Sequence, residues 1–210
     1  KLDDYLSTNK VAVIQDYNSQ QVGELMSLVK SEDVFDVWDA CAASGGKSIM
    51  AKDRLGKINL IVSDIRESIL YNLKKRFAEA GISNFQTMVA DLSANDPLPP
   101  GDQFDLVIAD VPCSGSGTWG RTPEQLYFFN QNKVDVYSRL QQQIVSTVLP
   151  HVKPGGYLLY ITCSVFKKEN EQQVEFIAGH STMKLLQNEC LKGYDKKADT
   201  MFAALFRKEL

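Results

Sequence analysis

Short apolar runs alternate with longer amphipathic stretches along most of the chain. The short runs are rich in Val, Ile, Leu and Phe, as expected of strands that are buried on both faces of a sheet. The longer stretches repeat apolar residues at helical spacing; Leu140, Ile144 and Val148 are one example. The predicted strands are residues 34–41, 58–64, 85–91, 104–110 and 156–163. The predicted helices are residues 18–30, 45–55, 66–81, 133–152 and 169–180.

This alternation predicts the fold class. Strands separated by helices of such length are joined by crossover connections, which produce a mostly parallel, doubly wound α/β sheet of Rossmann type. Residues 183–190 and 200–209 are predicted to be a closing strand pair that brings an antiparallel strand to the C-terminal side. With 210 residues and no repeat or low-complexity tract, the chain is predicted to be a single domain. Residues 1–32 are its lead-in and covering helix.

Composition and charge exclude several classes of protein. The chain is 44% hydrophobic and 23% charged, and no apolar run approaches the ~20 residues of a membrane span. Its net charge of −3 lacks the positive excess of a self-sufficient nucleic-acid binder. Four scattered cysteines without a CxxC pair or a neighbouring histidine predict no metal site. Without a secretion signal, we expect reduced thiols and a cytoplasmic protein.

Polar residues stand at the carboxyl ends of the predicted strands. Asp64, Asp91 and Asp110 end the second, third and fourth strands, and Cys163 ends the fifth. One such aspartate would more often be the cap of the following helix. Three of them, at ends that meet along one edge of a parallel sheet, predict a common ligand site at that edge.

The turn after the first strand favours an adenosine ligand. Its small residues, 42–46, let the backbone approach a ligand closely, and the helix that follows can bind an anion. The turn has neither the dinucleotide fingerprint nor the P-loop spacing. Asp64 is placed to hold ribose hydroxyls, and Asp91 to accept from an adenine amino group. S-adenosylmethionine therefore fits these residues better than NAD.

Two cysteines reach the same edge. Cys113 lies in the loop "ADVPCSGSGTWGR" (residues 109–121), together with Asp110, and Cys163 ends the apolar run "YLLYITC". A packed core thiol is the ordinary interpretation of either cysteine alone. A loop of Pro, Gly and Ser at a strand end is a poor place for core filler. We therefore expect both thiols in the cleft.

These motifs carry a resemblance to a known family. The chain resembles the RNA 5-methylcytosine methyltransferases, which include the bacterial Sun/Fmu-type small-subunit rRNA enzymes and their nucleolar relatives. The similar segments are "VIQDYNSQQV" (13–22), "DACAASGGKS" (39–48), "ADVPCSGSG" (109–117), "YITCSVFKKENE" (160–171) and "DTMFAALFRK" (199–208). The chain departs from the family at Ser44, where proline is usual, at Thr200, where glycine is common, and at residues 118–121.

The resemblance implies a function and assigns roles to residues. It implies transfer of a methyl group from S-adenosyl-L-methionine to C5 of a cytosine in RNA. Cys163 would attack cytosine C6, Cys113 would release the product, and Asp110 would hold the N3/N4 edge of the base. The implied cofactor-binding residues are Cys41, Ala42, Ala43, Ser44, Gly45, Gly46, Lys47, Asp64, Asp91 and Asp110.

The resemblance also bears on the substrate and on the domain. Small-subunit rRNA is the first expected substrate and tRNA the alternative. Because the family carries an RNA-binding domain before the catalytic one, the chain is predicted to be a catalytic-domain fragment. Three other hypotheses stay open: a DNA cytosine methyltransferase with Cys113 as nucleophile, a NAD-dependent oxidoreductase, and a non-catalytic RNA-binding scaffold. Sequence alone predicts no oligomeric state.

Overall fold

A computed structural model describes residues 7–29, 34–94, 96–98 and 103–210. Seven strands of these residues form one sheet. The strands are β1 (Phe35–Asp39), β2 (Ile58–Asp64), β3 (Phe85–Val89), β4 (Phe104–Asp110), β5 (Val152–Thr162), β6 (Met183–Leu191) and β7 (Met201–Lys208). The helices are α1 (Tyr17–Gln21), α2 (Gly23–Met26), α3 (Gly46–Leu55), α4 (Glu67–Glu79), α5 (Glu124–Tyr127), α6 (Asn132–Val148) and α7 (Glu171–Gly179).

The sheet confirms the predicted fold class. Its strand order is β3-β2-β1-β4-β5-β7-β6. The strands from β3 to β5 pair in parallel, and β7 runs antiparallel to both β5 and β6. The chain moves outward from β1 to β3 and then returns to β4 on the other side of β1. This switch in strand order opens a crevice at the carboxyl ends of β1 and β4, where ligands bind in sheets of this type.

Two apolar layers cover the sheet. On one face, Val37 of β1 packs in a cluster with residues of α2, α3 and α4, among them Leu73 and Phe77. On the other face, Trp38 packs in a cluster with residues of α6 and α7. Trp38 is fully buried, and its indole N–H donates to Ser63 Oγ at 3.0 Å, so its polar group has a partner. Burial on both faces explains why these strands are continuous apolar runs.

The structure corrects two predicted helices. The predicted helix 18–30 is divided into α1 and α2, the second of which ends at Met26, and residues 1–6 and 30–32 of the predicted lead-in lie outside the described residues. The predicted helix 133–152 ends at Val148, followed by a 3-10 helix, and β5 begins at Val152 instead of 156. Pro150 explains this second difference, because proline has no N–H to donate within a continuing helix.

Three strands end earlier than predicted at the site, and β5 ends at Thr162, one residue before Cys163. β1 ends at Asp39 and β3 ends at Val89, so Cys41 and Asp91 both lie two residues beyond their strands. Both residues thereby belong to loops, where side chains can face a ligand. Among the described residues, no helix combines the length and apolar character that a membrane span requires.

Candidate active site

A cavity of about 560 Å³ opens at the carboxyl ends of the five parallel strands β1 to β5. Its volume lies within the range that small-molecule and cofactor sites occupy. Seven residues singled out from the sequence line it: Cys41, Ala43, Asp64, Asp91, Asp110, Cys113 and Cys163. The other five, Ala42, Ser44, Gly45, Gly46 and Lys47, do not line it. The structure thus brings together the predicted strand-end residues and both cysteines.

The turn between β1 and α3 is built by its small residues. Gly45 has a φ of 82°, and a Cβ there would lie 2.5 Å from Phe77 Cε1, so only glycine fits. The Gly46 carbonyl accepts from Gln15 Nε2 at 2.7 Å, which joins the turn to the segment before α1. Ser44 stands where proline is usual in the family that the sequence resembles. Its hydroxyl accepts a hydrogen bond from Arg76 Nη1 at 3.1 Å. The turn is therefore held by side chains from two other segments.

Asp64 is held by its neighbours. Its two carboxylate oxygens accept from the N–H of Ala43 and from the backbone and guanidinium of Arg66, four contacts of 2.9 to 3.0 Å. Burial alone would raise the pKa of this carboxyl, but the hydrogen bonds from Arg66 and Ala43 outweigh it and hold the pKa below its ordinary value. Because a carboxylate has about four lone-pair sites, a ribose hydroxyl would have to displace one of these four bonds, three of which come from Arg66.

Among the described residues, the Asp91 side chain accepts fewer hydrogen bonds than that of Asp64. Its Oδ1 accepts from the backbone N–H and the hydroxyl of Ser93, at 2.9 and 2.6 Å. These two bonds lower the pKa of Asp91, so the side chain is a carboxylate at neutral pH. Its position in the cavity wall is compatible with the predicted contact to an adenine amino group.

Asp110 forms an ion pair with Lys47. Lys47 Nζ lies 3.1 Å from Asp110 Oδ2 and also donates to Ser19 Oγ at 2.7 Å. Lys47 is only 8% exposed, so this pair is shielded from water on the lysine side. Ser19 lies in α1, within the segment of residues 13–22 that was part of the resemblance. Its contact shows how that distant segment supports the site.

Asp39 is a buried carboxyl that sequence reasoning missed as a site residue. It ends β1 with no solvent exposure, and Ser48 Oγ donates to its Oδ2 at 2.5 Å, while its Oδ1 has no hydrogen-bond partner. Burial raises the pKa of Asp39 to about 7, against the lowering effect of the bond from Ser48. An aspartate directly after an apolar strand was the signal that could have found it.

The two cleft cysteines meet. Cys113 Sγ lies 3.3 Å from Cys163 Sγ, a hydrogen-bond contact that is too long for a disulfide. The bond to Cys163, together with burial, raises the pKa of Cys113 well above its ordinary value. Burial also raises the pKa of Cys41. Cys190 is exposed on β6 and has no place in the cavity.

A glycine and a glutamate join the loops that carry the two cysteines. Gly117 N–H donates to the Cys163 carbonyl at 2.8 Å, and a Cβ on Gly117 would lie 2.0 Å from the Thr200 carbonyl. Glu169, fully buried, accepts from Ser114 and Ser164. Sequence reasoning assigned no role to Glu169, although the "ENE" segment that contains it was part of the resemblance. Within the described residues, no group of three or more His, Cys, Asp or Glu side chains could hold a metal ion.

Comparison with known proteins gives one family model, described as 16S rRNA methyltransferase RsmB/F, which matches residues 25–206. The chain is 31% identical over 166 residues to ribosomal RNA small subunit methyltransferase B of Enterobacter sp. (strain 638), covering 77% of the chain and 37% of that protein. It is 29% identical over 175 residues to the protein of the same name from Yersinia enterocolitica, covering 83% and 40%. The chain thus spans about two fifths of the length of these relatives.

Solved structures agree with the fold. A structure described as PH0851 superposes with a TM-score of 0.84 at 27% identity, over 93% of this chain and 47% of that one. A structure described as NSun6 from Pyrococcus horikoshii with SFG gives a TM-score of 0.77 at 21% identity, over 92% and 52%. The similarity to the second structure concerns the fold alone.

Proposed function

This chain belongs to the family described as 16S rRNA methyltransferase RsmB/F, and we propose that it transfers a methyl group from S-adenosyl-L-methionine to C5 of a cytosine in RNA. One observation carries the proposal. Asp110, Cys113 and Cys163 line the same cavity as the strand-end carboxylates Asp64 and Asp91. A base and an adenosine cofactor can therefore meet there.

The proposed cofactor residues fit an adenosine group. Asp64 would hold the ribose hydroxyls and Asp91 the adenine amino group, while Ala43 lies in the cavity wall with its small side chain. When bound, S-adenosylmethionine supplies a methyl group on a sulfonium, and the protein orients the acceptor carbon toward it. Cys41 lines the same cavity, and its raised pKa keeps it a neutral thiol that a bound cofactor would meet. The residues of the turn that do not line the cavity, such as Gly45, would act by shaping it.

Cys163 is the proposed nucleophile. Cytosine C5 is too poor a nucleophile to take a methyl group unaided, and covalent catalysis divides this step into easier ones. The Cys163 thiolate adds to C6, and the displaced electron pair makes C5 enamine-like. C5 would then form its bond to the methyl group while the bond from that group to the sulfonium breaks, and the sulfur would keep the electron pair and leave as a neutral thioether. Asp110 would hold the N3/N4 edge of the ring during attack.

Cys113 is the proposed base for release. In the free protein its proton is retained, because it hydrogen-bonds to the sulfur of Cys163 and is buried. Once the Cys163 sulfur is bonded to C6, its hydrogen bond with Cys113 is weakened, and that bond is the largest cause of the raised pKa of Cys113. Cys113 then loses its own proton to water, and the resulting thiolate takes the C5 proton, directly or through a water molecule. The electrons of the C–H bond restore C5=C6 and expel the Cys163 thiolate.

The proposed substrate is small-subunit rRNA, the molecule named in the relatives' descriptions, with tRNA as the alternative. The target cytosine must leave its stack to enter the cavity, which favours a loop or an unpaired segment. Because this chemistry needs both thiols reduced, we also propose a cytoplasmic location. A role as the catalytic domain of a longer protein is part of the same proposal.

Mapping of 5-methylcytosine in total RNA tests the function. Cells with and without the gene would be compared, and we expect one cytosine of the small-subunit rRNA to lose its methyl group. An unchanged map would contradict the proposal. Loss of the mark from tRNA alone would favour the alternative substrate. Trapping with RNA or DNA that contains 5-fluorocytosine separates an RNA enzyme from a DNA enzyme, since the fluorine cannot leave as the C5 proton does.

A further inference from the structure

Glu169 is a buried carboxylate that none of the proposed steps uses. It ends the 3-10 helix Lys167–Glu169 between β5 and α7, and it has no solvent exposure. Within the described part of the chain, no lysine, arginine or histidine forms an ion pair with it. A buried charge without a cation must be stabilised by hydrogen-bond donors.

Those donors come from both cysteine loops. Glu169 Oε1 accepts from the Ser114 N–H at 2.7 Å, and Glu169 Oε2 accepts from the Ser114 hydroxyl at 2.6 Å. Oε2 also accepts from the Ser164 hydroxyl at 2.5 Å. Gln141 of α6 adds a longer contact to Oε1, at 3.4 Å. One carboxylate therefore joins the loop after β4 to the loop after β5.

The two serines directly follow the two cysteines. Ser114 is bonded to Cys113 and Ser164 to Cys163, so the backbone carries any shift of a serine to the neighbouring thiol. Asn170, the next residue after Glu169, donates to the Ser164 carbonyl at 2.8 Å and supports the same loop. Charge-assisted bonds are about twice as strong as neutral ones, which makes this junction stiff.

We propose that Glu169 is a positioning residue that keeps the thiols of Cys113 and Cys163 within reach of each other. Its relevance to catalysis rests on the proposed function, in which one thiol attacks and the other serves release on the same base. Its effect on the thiol separation needs neither cofactor nor RNA. The two statements can therefore be tested apart.

Crosslinking by a thiol oxidant measures the separation in the free protein. Diamide takes two electrons and two protons from a pair of thiols, so that a disulfide forms while its N=N bond is reduced to a hydrazine. The rate of the Cys113–Cys163 disulfide, followed by peptide mass spectrometry, reports how often the two sulfurs meet. We expect Glu169→Ala to slow this rate about tenfold, since the serine donors lose their common acceptor.

Two further variants complete the comparison. Glu169→Gln keeps the volume but replaces one acceptor oxygen with a donor, and we expect a smaller slowing, about threefold. Glu171→Gln removes an exposed carboxylate two residues away and should leave the rate unchanged. If the alanine variant fails to fold, the crosslinking rates of Glu169→Gln and of its Glu171→Gln control still show whether Glu169 sets the separation of the two thiols. Wild-type rates in the folded Glu169 variants would overturn the proposal.

A kinetic measurement tests whether the positioning of the thiols by Glu169 matters for methyl transfer. We expect Glu169→Gln to lower kcat for RNA methylation while the KM for the cofactor stays the same, because the carboxylate does not line the cavity. Equal losses of cofactor affinity and kcat would indicate a general structural defect and overturn the positioning role. If wild-type protein methylates no RNA but the crosslinking differences hold, the proposed function fails and the positioning role stands.

Discussion

Cys113 Sγ and Cys163 Sγ lie 3.3 Å apart, although 50 positions separate the two residues in the chain. They follow neighbouring parallel strands, β4 and β5, whose register pairs Asp110 with Ile161 at the carboxyl end. This pairing brings the loops after both strands to one point of the cavity. A two-thiol mechanism requires such an arrangement, since both sulfurs must serve one base.

Removal of the proposed nucleophile should abolish methylation and spare the cofactor. We expect Cys163→Ala to show no RNA methylation, because the enamine-like C5 cannot form without a thiolate on C6. Binding of S-adenosylhomocysteine, measured by calorimetry, should be within about twofold of wild type, since an alanine keeps the cavity wall apolar. Cys190→Ala, which changes an exposed thiol outside the cavity, is the control. Wild-type turnover by the Cys163 variant would show that Cys163 is not the nucleophile.

Removal of the second thiol should trap the reaction partway. In Cys113→Ala the adduct between Cys163 and the base forms but loses its C5 proton slowly, so a covalent RNA–protein complex should accumulate. Denaturing gel electrophoresis with labelled RNA detects it as a band of higher mass. If the complex instead accumulates in the Cys163 variant, the order of the two cysteines is reversed and Cys113 is the nucleophile.

Arg66 of the wild-type protein is expected to oppose cofactor binding. Its guanidinium holds Asp64 through two of the four bonds with which the ribose hydroxyls compete, at 2.9 and 3.0 Å. We expect Arg66→Ala to bind S-adenosylhomocysteine roughly threefold to tenfold more tightly, as removal of a partly exposed ion pair is worth about 1 kcal/mol. Lys74→Ala removes an exposed cation from α4, the helix that begins directly after Arg66, and should leave this affinity unchanged. Weaker binding by Arg66→Ala would show that the arginine assists the ligand.

The ion pair of Lys47 and Asp110 should contribute to stability. Lys47→Met keeps the side-chain stem but leaves Asp110, 28% exposed, without its cation, and we expect a loss of roughly 2 kcal/mol in the free energy of unfolding. Ser19→Ala removes only the hydroxyl that Lys47 contacts, so its loss should stay near 1 kcal/mol. Urea unfolding measures both. A Lys47→Met protein as stable as wild type would show that the pair adds nothing to the fold.

Asp39 should make stability depend on pH. Its pKa is raised from 3.8 to about 7 in the folded protein, so the folded state binds more protons than the unfolded state between these values. The contribution is therefore fully present below about pH 4 and is lost as pH rises through about 7. Asp39→Asn should remove this fall, roughly 2 to 4 kcal/mol in the free energy of unfolding.

Unfolding measured from pH 4 to 8 checks the effect of Asp39. Asp53→Asn, a change on the exposed side of α3, is the matched control and should keep the wild-type profile. If the free energy of unfolding of Asp39→Asn falls with pH as steeply as that of wild type, another group titrates in this range.

Local pattern predicted most of the fold. Apolar runs identified β1, β2, β4, β5 and β7, because strands buried on both faces carry few polar residues, and the more exposed β3 and β6 were located as well. Helical spacing located α3, α4, α6 and α7 within a few residues. The errors concerned the ends of helices and strands and the segment before β1. Pro150 ended α6 earlier than the apolar spacing indicated, and the covering helix proved to be two short helices.

The sequence by itself determined which residues could do chemistry and that strand ends would gather them at one edge. Tertiary structure decided which of them touch: Lys47 pairs with Asp110, and the sulfur of Cys113 lies against that of Cys163. It also revealed the buried Glu169 between the two cysteine loops. Periodicity reports only which face of an element is apolar. Contacts between loops 50 or more positions apart depend on strand register and on the packing of every side chain between them.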